Sequence, residues 1–217
     1  MEKIYFDDTT FIWKTKLNRI ENKSVFLKEA YSVIDSMPFI KTDGFEYTKY
    51  DKNINFTGKI SVNTKLDEVV QLGINMCEEL HSKSNNTTFN RINTDSWVNV
   101  VRSKNPVQIQ FKHIQNNNID KYHNHVEINK NMKSFFPHYT YVYYIQMPDV
   151  MNNEDGVLYF KGRGGKEYWI RPEEDDLIIM PGDMPHAPNT APNSTIDRIV
   201  LAGNVGFEFI KKEKSLI

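Results

Sequence analysis

A single cysteine, Cys77, stands among 217 residues. A lone thiol excludes an internal disulfide, a zinc cluster of several thiolates and a Cys-x-x-Cys redox pair. The sequence also has no run of about 18 apolar residues, the length a membrane-spanning helix needs. Its N-terminus, MEKIYFDDTT, is acidic where a secretory leader has a basic stretch and then an apolar one. The expectation is a cytoplasmic protein with no membrane partner. An excess of either charge is missing as well: 27 basic side chains against 28 acidic ones give a formal charge of −1. That balance argues against a nucleic-acid binder working by phosphate neutralisation.

What is present suffices for one sizeable core. The hydrophobic fraction is 39%, aromatic residues make up 12% and the mean hydropathy is −0.57, so residues 1–217 read as a single domain with a wet surface. Up to about residue 95 the texture is mixed α and β. Residues 24–37 (SVFLKEAYSVIDSM) place Val25, Phe26, Ala30, Val33 and Ile34 near helical spacing, with Ser24 as the expected N-cap and Pro38 as a stop. A second, longer helix is expected over 64–82, with Asp67 and Glu68 in its first turn, where the helix dipole favours negative charge. His81 closes that helix, where a cation suits the dipole, and Cys77 falls on its apolar face. The polar stretch 83–88 (KSNNTT) reads as a loop.

From residue 95 onward the rhythm changes to short runs rich in Val, Ile, Tyr and Phe, separated by Asn, Asp, Gly and Pro: SWVNVV, VQIQFKHI, YTYVYYIQM, GVLYFKG, KEYWIRP, DLIIMPGD and DRIVLAGNVGFEFI. This is the rhythm of an antiparallel β-sandwich or barrel. The glycine-rich GRGGK over 162–166 lacks the spacing of a phosphate loop and reads as a hairpin turn.

Histidine placement carries the chemistry. In KYHNHVEINK, His123, His125 and Glu127 occur at i, i+2 and i+4, so an extended strand points all three to one face. His186, 61 residues beyond His125, follows the run DLIIM and the turn PGD. Two imidazoles and one carboxylate on one side of a metal form the facial site of non-haem Fe(II). Twelve residues after His186, Arg198 opens another strand. A guanidinium there is costly to bury unless an anion meets it, and its planar fork fits a carboxylate.

These stretches, in the order SWVNVV, YHNHVE, TYVYYIQMP, DDLIIMPGDMPHAPN and DRIVLAGNV, resemble the Fe(II)- and 2-oxoglutarate-dependent dioxygenase superfamily, in particular its bacteriophage and marine bacterial members. The resemblance covers about half of the chain. It implies an α+β, mainly β fold: a double-stranded β-helix, or cupin-like jelly roll, over 96–210, supported by residues 1–95 with helices on the outer face. It also implies iron and 2-oxoglutarate as cofactors, dioxygen as co-substrate, and hydroxylation of a C–H bond in a peptide side chain or small metabolite with release of succinate and CO2.

Two ligand sets are compatible with the chain. In one, His125, Glu127 and His186 bind iron with His123 behind them. In the other, His123 is the first ligand and His125 takes the carboxylate's place. The first is preferred because an anionic ligand compensates the cation's charge. The resemblance assigns Arg198 to the distal carboxylate of 2-oxoglutarate, with Tyr143 the chosen phenol among Tyr141, Tyr143 and Tyr144, and Asn204 a further contact. His138 is placed in a loop at the substrate entrance. A homodimer contact through residues 1–95 and a phage-encoded origin are further expectations. The competing readings are a cupin-like thiol dioxygenase or isomerase without 2-oxoglutarate, and a jelly-roll interaction module.

Overall fold

The structure is a computed structural model describing residues 1–35, 40–42, 45–47, 56–60, 62–84, 89–101, 122, 124, 138–149, 152–189, 191 and 194–209. The expected strand VQIQFKHI with His113, and the residues His123, His125 and Glu127, lie outside the described residues.

Alternating or continuous β-branched and aromatic runs build two facing sheets. The larger is antiparallel, in the order β1-β2-β10-β7-β12-β6-β5. Its strands are β1 (Glu2–Tyr5), β2 (Phe11–Lys16), β5 (Phe56–Lys59), β6 (Phe89–Val101), β7 (Tyr139–Gln146), β10 (Asp176–Pro181) and β12 (Arg198–Phe209). The smaller sheet runs β11-β8-β9, from β8 (Leu158–Lys161), β9 (Glu167–Ile170) and β11 (His186–Pro188). Separately, β3 (Ile40–Thr42) pairs antiparallel with β4 (Phe45–Tyr47). GRGGK does form the turn of the β8–β9 hairpin: Gly164 and Gly165 take positive φ of 78° and 82°, which glycine adopts without steric cost.

The two helices, α1 (Lys23–Asp35) and α2 (Lys65–Ser84), cover the outer face of the large sheet. Ser24 lies inside α1, one residue past its start, because a 3₁₀ turn over Ile20–Asn22 leads directly into the helix. For α2, Thr64 is the cap, its hydroxyl oxygen accepting the Asp67 N–H at 3.1 Å. Of the expected loop over 83–88, Lys83 and Ser84 belong to α2, and residues 85–88 lie outside the described residues.

The large sheet has an apolar core on each side. Phe26 and Ala30 of α1 and Leu66, Val69, Val70, Ile74, Cys77 and Leu80 of α2 meet the odd-numbered residues Tyr139, Tyr141, Tyr143, Ile199, Leu201 and Val205. Even-numbered Val142, Tyr144, Ile178, Met180, Val200 and Ala202 meet Leu158 and Phe160 of the small sheet. The second core is the interior of the jelly roll, and full burial of each such side chain stabilises the fold by about 1.5–3 kcal/mol. Residues 1–95 do more than support the barrel from outside: β1, β2 and β5 extend the large sheet, with β2 pairing directly to β10. Those strands were not legible because the N-terminal runs are short and mix lysine with aromatics.

Candidate functional site

Three central strands align their inner residues in cross-strand rows. Val200 lies opposite Asn99 and Tyr144, Ala202 opposite Trp97 and Val142, and Asn204 opposite Asp95 and Thr140. Arg198 begins β12 on the same inner face. It is only 5% exposed and has no ion pair among the described residues, and its Nε has no hydrogen-bond partner there. The guanidinium carbon lies 5.5 Å from the centroid of the Tyr144 ring. Tyr144 is fully buried and its hydroxyl also lacks a hydrogen-bond partner among the described residues. Burial raises the Tyr144 phenol above its ordinary pKa, while the Arg198 charge and the close approach of its guanidinium to the phenol pull the other way.

A buried carboxylate stands nearby without serving the arginine. Asp176, at the start of β10 and completely buried, is held by Lys14 at 2.8 Å and Lys16 at 3.2 Å from β2, and it accepts the Glu173 N–H at 2.7 Å. Two ammonium groups already compensate that anion. Among the described residues Arg198 therefore finds no compensating anion, in a region where an unpaired ion is expensive. Two adjacent polar groups with no further partner among the described residues fit one ligand chemistry, an anion with acceptor oxygens.

His186 opens β11 at 5% exposure and pairs directly with Phe160 of β8, so its ring shares the inner face with that residue. Its Nδ1 lies 3.0 Å from the Met184 carbonyl oxygen. A carbonyl only accepts, so Nδ1 carries the proton and the lone pair of the neutral ring is on Nε2. Metal-binding imidazoles are held in their tautomer by this type of contact. One described contact links this strand pair to the first motif. The Lys161 ammonium, one residue past Phe160, lies 5.5 Å from the ring centroid of Tyr122, the residue immediately before His123. His123, His125 and Glu127 themselves are outside the described residues, and among the described residues no three potential ligands converge.

Tyr143 takes a different position from the one chosen from the sequence. Its hydroxyl donates to Asp175 Oδ1 at 2.9 Å and its ring meets Phe26 of α1, on the helix side of the sheet. Tyr144 is the phenol beside Arg198. Parity would have separated them, but β7 is buried on both faces, so its sequence shows no alternation to read. Asn204 is 2% exposed and its side-chain oxygen accepts from the Thr140 hydroxyl at 2.9 Å. His138 packs on the helix side of the sheet, its ring 5.2 Å from that of His81 and its Nδ1 accepting the Phe207 N–H at 3.1 Å. His81 is buried and stacked on Phe207, and burial lowers its pKa, so the cation expected at the helix end is disfavoured.

No family model matches the sequence, and no curated protein matches it. Solved structures do match in shape. A prolyl-4-hydroxylase from Pseudomonas putida superposes with a TM-score of 0.56 at 10% identity, covering 89% of this chain and 91% of that one. The viral collagen prolyl hydroxylase of Paramecium bursaria Chlorella virus-1, solved with 2-oxoglutarate, gives 0.50 at 10% identity over 93% and 98%. A prolyl hydroxylase of Trichoplax adhaerens, bound to a peptide of the hypoxia inducible factor oxygen degradation domain, gives 0.50 at 13% identity over 89% and 82%. The chain thus has the mainly β jelly-roll fold of the 2-oxoglutarate- and iron-dependent oxygenases of the prolyl hydroxylase kind.

Proposed function

We propose that the protein is an Fe(II)- and 2-oxoglutarate-dependent dioxygenase that hydroxylates a C–H bond of a peptide side chain or small metabolite, releasing succinate and CO2. The observation that carries this reading is the buried Arg198, which has no anionic partner among the described residues and lies beside an unsatisfied phenol on the inner wall of an oxygenase-type jelly roll. A fold of this size tolerates such a charge when a ligand compensates it. The distal carboxylate of 2-oxoglutarate suits the pair: Arg198 offers a planar fork of donors and Tyr144 a further O–H.

His186 would hold the metal through Nε2, with His125 and Glu127 or with His123 and His125. The donor chemistry, imidazole with an optional carboxylate, suits Fe(II). When bound, the iron and 2-oxoglutarate supply the oxidative step that no protein side chain can perform. The chain's own contribution is orientation and exclusion of water. Val142, Ile178, Met180, Val200, Ala202, Leu158 and Phe160 line an apolar interior, and in low dielectric the pull of Arg198 on a carboxylate strengthens.

The test begins with protein prepared without oxygen. Iron analysis, a thermal-shift titration with 2-oxoglutarate, and succinate release on admitting air should all be positive for the wild type. Arg198→Gln should lose the 2-oxoglutarate response. Metal binding with no response to 2-oxoglutarate would favour a cupin-like metalloprotein, and neither response would leave an interaction module.

A further inference from the structure

Along the inner face of the large sheet the rows change character. The rows through Ala202 and Val200 include Val142 and Tyr144 and are mostly apolar, whereas the row through Asn204 is polar on three adjacent strands: Asp95 on β6, Asn204 on β12 and Thr140 on β7. Thr140 and Asn204 are 0% and 2% exposed. Asp95 is open to solvent. The next strand places Met180 opposite Thr140, and the chain then leaves the large sheet through Gly182, whose N–H donates to the His138 carbonyl at 3.0 Å, on its way to His186. The polar row therefore borders the side of the barrel from which the chain crosses to His186. Arg198 lies six residues back along β12, about 20 Å away at the ordinary strand rise.

One hydrogen bond fixes which way the amide points. The Thr140 hydroxyl donates to the Asn204 side-chain oxygen at 2.9 Å, so the amide must turn its NH2 group the other way. Asp95, on the far side of Asn204, keeps part of its surface in solvent; burial of the rest raises its pKa, and the neighbouring Asn204 side chain and backbone work against that rise. The amide thus acts as a spacer between a buried hydroxyl and a solvent-facing carboxylate. An ionised carboxylate has only acceptor sites, about four of them, and Asn204 does not saturate these.

We propose that Asp95 is a specificity-determining residue at the substrate mouth, oriented by Asn204 and Thr140 to receive an ammonium or guanidinium group of the substrate. This rests on the oxygenase reading and extends it to the substrate's chemistry. The interior then carries opposite charges at its two ends. Arg198 draws a dicarboxylate inward, and Asp95 repels the same anion at the entrance while attracting a cation.

The test uses the full chain loaded with 2-oxoglutarate and with Zn(II) in place of iron, and two blocked tripeptides, acetyl-Gly-Lys-Gly-amide and acetyl-Gly-Glu-Gly-amide, followed by saturation-transfer NMR. The lysine peptide should receive saturation at least fivefold more strongly than the glutamate peptide, and Asp95→Asn should remove that preference. Equal signals from the two peptides in the wild type would overturn the proposal without any variant being needed, as would a preference for lysine that survives Asp95→Asn. Failure of the underlying oxygenase reading shows separately, as the absence of a 2-oxoglutarate thermal shift in the wild type.

Discussion

Tyr143 and Tyr144 are consecutive residues that serve opposite sides of one sheet. The hydroxyl of the first donates to Asp175 at 2.9 Å beneath α1, and the ring of the second lies 5.5 Å from the Arg198 guanidinium carbon inside the jelly roll. Their conservative variants should separate cleanly. Tyr143→Phe removes a buried hydrogen bond from Asp175, which also accepts the Arg19 N–H, and should cost about 1–2 kcal/mol of stability with the 2-oxoglutarate affinity unchanged. Tyr144→Phe should leave stability nearly unchanged and weaken 2-oxoglutarate about five- to tenfold, a loss of about 1 kcal/mol. Urea denaturation and ligand titration of the two proteins check both halves.

Arg198 is expected to trade stability for binding. Without its ligand, the guanidinium is buried and unpaired among the described residues. Replacing it by an apolar side chain of similar length should therefore stabilise the ligand-free protein. For Arg198→Met the gain should be about 1–3 kcal/mol by denaturant unfolding, while the stabilisation by 2-oxoglutarate disappears. A destabilised Arg198→Met protein would mean that the wild-type arginine already has an anionic partner.

Acid should loosen the α2 end of the large sheet. Burial and the neighbouring His138 lower the pKa of His81, and burial lowers that of His138. Protonating His138 at Nδ1 would also break the bond it accepts from Phe207. Both groups have folded-state values below the unfolded value near 6.5, so the unfolded chain takes up protons first. Their contribution is intact above about pH 6.5, diminishes as pH falls from there through the lowered folded values, and then levels off. Unfolding midpoints measured from pH 8 to pH 5 should fall below pH 6.5. The double variant His81→Phe, His138→Gln should flatten that fall.

Gly73 is fixed by a ring. A β-carbon there would lie 2.7 Å from Tyr141 Cδ2, and Tyr141 is completely buried between α2 and β12. Gly73→Ala gains about 1 kcal/mol in helix propensity but overpacks a rigid aromatic contact at a cost of about 1–3 kcal/mol. The net change should be destabilising by thermal or urea unfolding. Adding Tyr141→Leu should recover part of the alanine's penalty, a non-additivity that only contacting residues show.

Local signals in the sequence were enough for the two helices, for the described strands after residue 95 except β11, for the hairpin turn at GRGGK and for the candidacy of His186 and Arg198. Each is a local signal: apolar spacing, turn residues, or an ionisable group set in an apolar strand. Long-range pairing was needed to show that β1, β2 and β5 extend the large sheet, that Tyr144 and not Tyr143 faces Arg198, and that Asp95, Asn204 and Thr140 form one row. These relationships depend on cross-strand register between segments far apart in sequence, 109 residues from Asp95 to Asn204 and 166 from Trp13 to Ile179. Where a strand such as β7 is buried on both faces, no alternation of polarity remains in the sequence to record which side chain points where, and only the packing of helices on one face and the small sheet on the other assigns them.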